Sequence, residues 1–230
     1  MAVSIQENIE RVRERMAAAC RRAGRALESV RLVAASKTVA AERLREAYLA
    51  GIRDFGENRV QEAASKRAAL TDLPIAWHMI GHVQSNKARL VSELFDWVHS
   101  VDSERLAEKL DRTRCGPAKM AVLIEVHLAE ETTKSGVRPA DVPRLAEALA
   151  RHERLALRGL MAVPPFLQNP EDARPYFRRL RELARQVEGM GLAGVSMTEL
   201  SMGMSHDFET AIEEGATIIR VGTAIFGPRS

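Results

Sequence analysis

Residues 32 to 38 read LVAASKT, an apolar run of strand character that finishes on a lysine. The following VAAERLREAYLAGI carries Leu44, Ala47, Tyr48 and Gly51 at the spacing of one helix face, with the glycine as its stop. Lys37 therefore stands where a buried strand passes into a loop. Such a lysine is either a solvated strand terminus or an amine in a dry cleft, where burial favours the neutral, nucleophilic form.

A second set lies towards the C-terminus. Gly203, Met204 and Ser205 lead into HDFETAIEEG, and Gly222 and Thr223 follow the apolar TIIRV. Glycines let backbone N–H groups approach an anion, hydroxyls add donors, and a helix start favours negative charge. Either loop alone is ordinary turn chemistry; together they make a candidate phosphate site. Arg220 sits inside TIIRVG. Alternation places Ile218, Arg220 and Gly222 on one strand face, as it places Val33, Ala35 and Lys37 together on another. An arginine among apolar strand residues is costly without a partner, and Glu199 or another inward carboxylate is the simplest one.

The histidines carry less. His78 and His82 stand four apart in WHMIGH, which on a helix would suggest a metal pair. Here the segment reads as a strand running into a loop, with no carboxylate or cysteine set beside it, so no metal site is expected. His99, His127, His152 and His206 form no constellation, and no GxSxG, HExxH or P-loop pattern is present.

These groups need elements to position them. Strand-like segments occur at 31–36, 52–56, 76–81, 97–101, 120–128, 157–163, 195–202 and 217–222, with helical stretches such as NRVQEAASKRAAL, SERLAEKLDR and PYFRRLRELARQVEG between them. That alternation predicts parallel β/α units. Eight units and no GxGxxG after the first strand favour a closed (β/α)8 TIM-like barrel over an open doubly wound sheet. An amphipathic helix with Ile5, Ile9, Val12, Met16 and Cys20 on one side occupies 1–30, the barrel 31–230, and no linker divides the chain, so 1–230 is expected to be one domain. In such a barrel strands 1 and 8 are neighbours, and the loops after strands 7 and 8 recurrently bind phosphate.

Composition bounds the partners. The 34 basic residues face 31 acidic ones, and the arginines are scattered through helical segments without interleaved aromatics. They read as solvated helix faces and not as a nucleic-acid groove. No apolar run approaches the roughly 20 residues of a membrane span. Cys20 and Cys115 stand in unrelated contexts, and both are expected to be buried packing in a reducing compartment. A soluble cytoplasmic protein is expected, a monomer in preference to a dimer.

The stretches AASKT, FGENRVQE, WHMIGHVQSNK, SVDS, KSG, LRGLMAVPP, LSMGMSHDFETAI and RVGTAIFG, in this order, also carry a resemblance. The chain resembles the pyridoxal phosphate homeostasis proteins, a family similar to the barrel domain of alanine racemase. The resemblance implies that Lys37 holds pyridoxal 5'-phosphate (PLP) as an internal aldimine. It implies that Ser205, Gly222 and Thr223 bind the phosphate with backbone from Met204, that Arg220 faces the pyridine nitrogen, and that Asn58 lies beside the ring.

PLP supplies an electron sink that the protein tunes. An arginine, always cationic, keeps the ring nitrogen unprotonated and weakens that sink. Racemisation also needs an acid or base on each face of the substrate. The barrel enzymes that the chain resembles obtain the second group from another domain or chain, whereas this sequence stops at GPRS and its only tyrosines, Tyr48 and Tyr176, fall in helical segments. The expectation is a reversible PLP carrier with little or no turnover, with PLP-dependent apo-enzymes as candidate recipients. A PLP-dependent amino-acid racemase is the alternative, and a Schiff-base aldolase on a sugar phosphate stands behind it.

Overall fold

The computed structural model describes residues 4–128 and 135–228. Eight strands form a closed parallel barrel in sequence order, β1 (Arg31–Ala35), β2 (Asp54–Glu57), β3 (Ala76–Met79), β4 (Trp97–Val101), β5 (Met120–Glu125), β6 (Leu155–Met161), β7 (Glu199–Ser201) and β8 (Ile218–Val221). Each expected strand is present, and the expected segments overrun several of these bounds by a few residues. β1 closes the ring against β8, with Val33 opposite Arg220 and Ala34 opposite Val221.

The helices are α1 (Ile5–Arg22), α2 (Ala41–Leu49), α3 (Val60–Ala69), α4 (Ala88–Leu94), α5 (Glu104–Thr113), α6 (Val142–Ala150), α7 (Arg174–Glu188), α8 (Phe208–Glu213) and α9 (Thr223–Phe226). Their apolar faces pack on the outside of the barrel and bury one large core. Inside the barrel the apolar filling is small: Val33, Leu123, Met161 and Ile218, with Trp97 against them. Residues two further along the same strand faces (Ala35 on β1, Glu125 on β5, Arg220 on β8) therefore point towards the C-terminal mouth. The rest of the interior is polar, since His78, His99, Ser201 and Arg220 are all buried. A barrel interior is usually dominated by branched aliphatic residues, so this filling marks the axis as functional.

Helix α1 begins at a capping box, in which Ser4 and Glu7 exchange hydrogen bonds, and buries Ile5, Ile9, Val12, Met16, Ala19 and Cys20. It lies over the β1–β8 seam. Asn8 donates to the Ile225 carbonyl at 2.9 Å, Arg15 pairs with Glu209 at 2.6 Å, and Arg13 donates to the carbonyls of Ala50 and Gly51 at 3.2 and 3.0 Å. Cys20 is buried as expected. Cys115 is exposed, which corrects the expectation for it: it sits in the irregular turn after α5, where no packed face covers it.

Two places show how tightly the scaffold is specified. At Gly159 on β6, a Cβ would lie 1.8 Å from the Glu199 carbonyl oxygen of β7. At the end of α8, the buried Glu214 carboxylate accepts from Arg174 at 2.9 Å and from Arg178 at 3.1 Å, and pairs with Arg181 at 3.2 Å. Burial raises the Glu214 carboxyl, but those hydrogen bonds and charges outweigh it and leave the group below its ordinary value.

Gly159→Ala is expected to cost about 4 kcal/mol or more, because backbone and not a flexible side chain occupies the space; denaturant unfolding, or loss of soluble protein, reads it. Glu214→Gln is expected to lower stability at pH 7 by about 1–2 kcal/mol, a Tm drop of about 2–8 °C for a chain of this length. A lowered carboxyl stabilises the fold above its unfolded-state value, 4.5, and loses that contribution as pH falls through the folded-state value. The gap between variant and wild type should therefore close on acidification.

Candidate functional site

Lys37 follows β1 in a turn, half-buried, and its neighbours are held on both sides. Ser36 is fully buried; its N–H donates to the Gly56 carbonyl at 2.9 Å and its hydroxyl to Glu57 Oε1 at 2.6 Å. Lys66, from α3, donates to the Ser36 carbonyl and to Glu57 Oε1, each at 2.6 Å. Thr38 adopts a left-handed conformation, φ 63°, and its N–H donates to Glu62 Oε2 at 3.0 Å. A threonine pays strain there, and the bond to Glu62 offsets it. Burial raises the Glu57 carboxyl, opposed by the hydrogen bonds from Lys66 and Ser36, and Glu57 Oε2 is buried without a hydrogen-bond partner. These residues were not among the expected site groups. The lysine's turn is thus fixed by a buried ion pair between β2 and α3.

Lys37, Thr38, Asn58, Arg59 and Glu62 line one cleft at the C-terminal mouth. Asn58 and Arg59 also line an adjoining one with Met79, Gly81, His82 and Lys87. Gly81 permits this approach, because a Cβ there would lie 2.4 Å from the Asn58 carbonyl oxygen.

Across the β1–β8 seam lies an oxygen-binding cradle. The N–H groups of Gly222 and Ala224 both donate to Ser205 Oγ, each at 3.2 Å. Asp207 Oδ1 accepts from the Met204 N–H at 2.6 Å and shapes that loop. Gly203, with φ 91°, tolerates no side chain, since a Cβ would meet Ala211 Cβ at 2.6 Å. Gly222 lies against Ala35, whose carbonyl oxygen would be 3.0 Å from a Cβ at that position. The cradle is therefore beside the strand that carries Lys37. Thr223 is exposed at its rim. Ala224 was not foreseen, since a backbone donor leaves no trace in residue type.

Arg220 is buried where expected, but its partners differ. Nη1 donates to Ser201 Oγ at 2.6 Å and Nη2 to the Ala162 carbonyl at 3.0 Å. Glu199 is instead engaged by the Thr217 hydroxyl at 2.7 Å at the other end of β7. Burial pushes the Arg220 guanidinium down to about 10, opposed by the charges of Asp207 and Glu125, so it remains cationic at neutral pH.

The histidines also depart from expectation. His99 Nδ1 lies 2.8 Å from Ser201 Oγ, His99 Nε2 lies 3.0 Å from His78 Nδ1, and His78 Nε2 lies 2.9 Å from Asp54 Oδ1. His82 pairs with Asp102 at 3.3 Å. Carboxylates distant in sequence thus sit beside both WHMIGH histidines, and His99 belongs to a constellation after all. Burial holds both His78 and His99 below their ordinary value, His99 well below, where His78 and Arg220 add to the effect. Alternation along AWHM and WVHSV was the available signal: the central histidine of each shares the inward face.

Glu125 ends β5, on the wall opposite β1. Ser135 donates to its Oε1 at 2.9 Å, while Oε2 is buried without a partner, and burial raises its carboxyl. Lys134 of the KSG stretch lies outside the described residues. Tyr48 and Tyr176 are on α2 and α7, as expected.

The residues present fit PLP. Two backbone N–H groups converge on one oxygen, Ser205 Oγ, as they would on a phosphate oxygen, an amine stands at the neighbouring strand end, and a buried cation lies on β8 between them.

Residues 4–230 match the family model described as alanine racemase, N-terminal domain. The pyridoxal phosphate homeostasis protein of Aquifex aeolicus is 46% identical over 224 residues, 97% of each chain. That of Pseudomonas aeruginosa is 47% identical over 227 residues, 98% of this chain and 96% of its own. The solved structure of PipY from Synechococcus elongatus PCC7942 with PLP bound has a TM-score of 0.85 at 40% identity, covering 97% of this chain and 100% of that one. An alanine racemase from Clostridium difficile 630 shares the fold with a TM-score of 0.77 at 12% identity, over 98% of this chain and 57% of its own. At such identity over almost the whole length, the chain belongs to the pyridoxal phosphate homeostasis protein family, built on the N-terminal barrel domain of alanine racemase.

Proposed function

We propose that this protein binds PLP through the Lys37 amine and serves PLP homeostasis, holding the cofactor reversibly with little or no turnover. The observation that carries the reading is the convergence of the Gly222 and Ala224 N–H groups on Ser205 Oγ, two residues beyond the buried Arg220 and beside the strand of Lys37. When bound, PLP supplies an aldehyde that condenses with an amine, with loss of water, and a ring that can withdraw electrons.

The chain's own residues divide the work. Gly222, Thr223, Ala224 and Ser205, with backbone from Met204, hold the phosphate. Asn58 lies beside the ring. Arg220 would face the ring nitrogen, and as a cation would keep that nitrogen unprotonated, which weakens electron withdrawal and disfavours turnover. Ser36, Glu57 and Lys66 fix the turn that presents the Lys37 amine.

In this reading residues 1–230 act as one PLP-binding domain, a cytoplasmic monomer that delivers PLP to apo-enzymes. Among the described residues no helix is long and apolar enough to cross a membrane.

The purified wild type is expected to absorb in the violet, to keep a reduced chromophore on the Lys37 peptide after borohydride, and to lose both in Lys37→Ala. A wild type that stays colourless after PLP is added would overturn the reading. A racemase would exchange the α-hydrogen of an amino acid with solvent. No exchange is expected in deuterated buffer with the loaded protein, and steady deuterium incorporation would move the assignment to an enzyme.

A further inference from the structure

The buried groups behind Arg220 form one unbroken hydrogen-bonded chain along the barrel axis. It runs from Arg220 Nη1 to Ser201 Oγ at 2.6 Å, from Ser201 to His99 Nδ1 at 2.8 Å, from His99 Nε2 to His78 Nδ1 at 3.0 Å, and from His78 Nε2 to Asp54 Oδ1 at 2.9 Å. Arg220, Ser201, His99 and His78 are buried, whereas the Asp54 side chain, at the N-terminal end of β2, is 21% exposed. The chain thus begins at the proposed ring-facing cation and ends at the opposite mouth of the barrel.

Elementary chemistry dictates the direction of every proton in it. Arginine has only donors, so Ser201 Oγ accepts from it. Ser201 Oγ has a second lone pair, so the next link takes its direction from the Asp54 end of the chain, which leaves His99 Nδ1 as the acceptor of the Ser201 hydroxyl hydrogen. The one proton of a neutral His99 is consequently on Nε2, and it is donated to His78 Nδ1. His78 in turn carries its proton on Nε2 and gives it to the Asp54 carboxylate, which has only acceptors. A second proton on either ring would set two donors against each other or leave the serine hydrogen without its acceptor. The lowered values of both rings agree with neutral imidazoles.

We propose that the Asp54 carboxylate is coupled to Arg220 through Ser201, His99 and His78. On this view the four are positioning residues that set how the guanidinium meets the ring nitrogen of bound PLP. The inference rests on the PLP reading above. It adds that the electronic state of the ring is tuned from the far end of the barrel, by a residue that touches neither PLP nor Arg220. Arg31, whose Nε lies 3.8 Å from Asp54 Oδ1 and whose guanidinium covers the Trp97 ring at 4.8 Å, shares that foot with the carboxylates of Asp96, which accepts from the Trp77 N–H, and Glu199.

The test has two parts. In ligand-free wild type labelled at histidine, long-range proton–nitrogen spectra at neutral pH are expected to show His78 and His99 both neutral and protonated on Nε2. A proton on Nδ1 of either ring, or a doubly protonated ring, overturns the coupling without reference to PLP. In the second part, protein loaded with PLP labelled at the ring nitrogen is compared as wild type, Asp54→Asn and Glu199→Gln. Asp54→Asn is expected to keep PLP on Lys37 yet move the ring-nitrogen resonance and the absorption band. Glu199→Gln, which removes a carboxylate at the same mouth but outside the chain, is expected to leave both in place. Equal spectra for Asp54→Asn and wild type would sink the proposal, as would equal shifts in both variants. Should Asp54→Asn fail to fold, the tautomers of the wild type decide. A wild type that retains no PLP removes the PLP reading and the ring-positioning role with it, while the tautomer result still stands separately.

Discussion

A guanidinium group taken out of water on the axis of a barrel is the constraint around which the interior is arranged. Left without compensation it would be among the costliest groups in the fold. A direct carboxylate partner would neutralise it, but would also place an anion beside the site. Arg220 instead meets a hydroxyl and a carbonyl, with the nearest hydrogen-bonded carboxylate three side chains away through Ser201, His99 and His78. The cation therefore keeps its charge available to the mouth. The cost is that the middle of the barrel gives up aliphatic packing to neutral polar groups, with Val33, Leu123, Met161 and Ile218, and Trp97 against them, as its apolar layer among the described residues.

The approach to Lys37 follows the same logic at shorter range. Lys66 and Glu57 form a buried pair whose attractions are spent on the Ser36 carbonyl and hydroxyl, one residue from the lysine. A buried pair of this kind contributes little net stability against an apolar replacement, so its value is in fixing a backbone position. The left-handed Thr38 just beyond is held by Glu62 of α3, the helix that also carries Lys66. One helix thus fastens both flanks of Lys37.

Much of this was legible in the residues. Eight alternating segments announced eight strands, because burial on both faces of a parallel barrel leaves short apolar runs that turn signals punctuate. Strand parity gave Arg220 its buried place on β8, since the period of two is a local property. What parity could not supply was register. Whether Arg220 meets Glu199 or Ser201 depends on how β7 aligns with β8, and nothing local encodes that; Ser201 stands opposite Ile218. His78 and His99 are 21 residues apart and separated by α4, so their contact follows from barrel closure alone. Cys115 went wrong for a plainer reason: one apolar-looking side chain in a polar turn has no face to bury against. The role inferred from resemblance for Asn58 attaches to a position at the mouth whose local sequence gives no chemical reason of its own.

Helix α1 has a consequence for how the molecule is made. Asn8 reaches the carbonyl of Ile225, 217 positions away, and Arg15 and Arg22 reach Glu209 and Glu213 on α8. Helix α1 therefore finds its full surface only after β8 and the flanking helices α8 and α9 have been made and the ring has closed. Until then α2 and the turn before β1 cover only part of its apolar stripe, from Ile5 to Cys20. Contacts of such long separation slow folding, because the entropy of closing the loop is lost before the contact forms. The nascent chain is thus most exposed to misassociation until the ring closes, and the β1–β8 seam is where a folding barrier should concentrate.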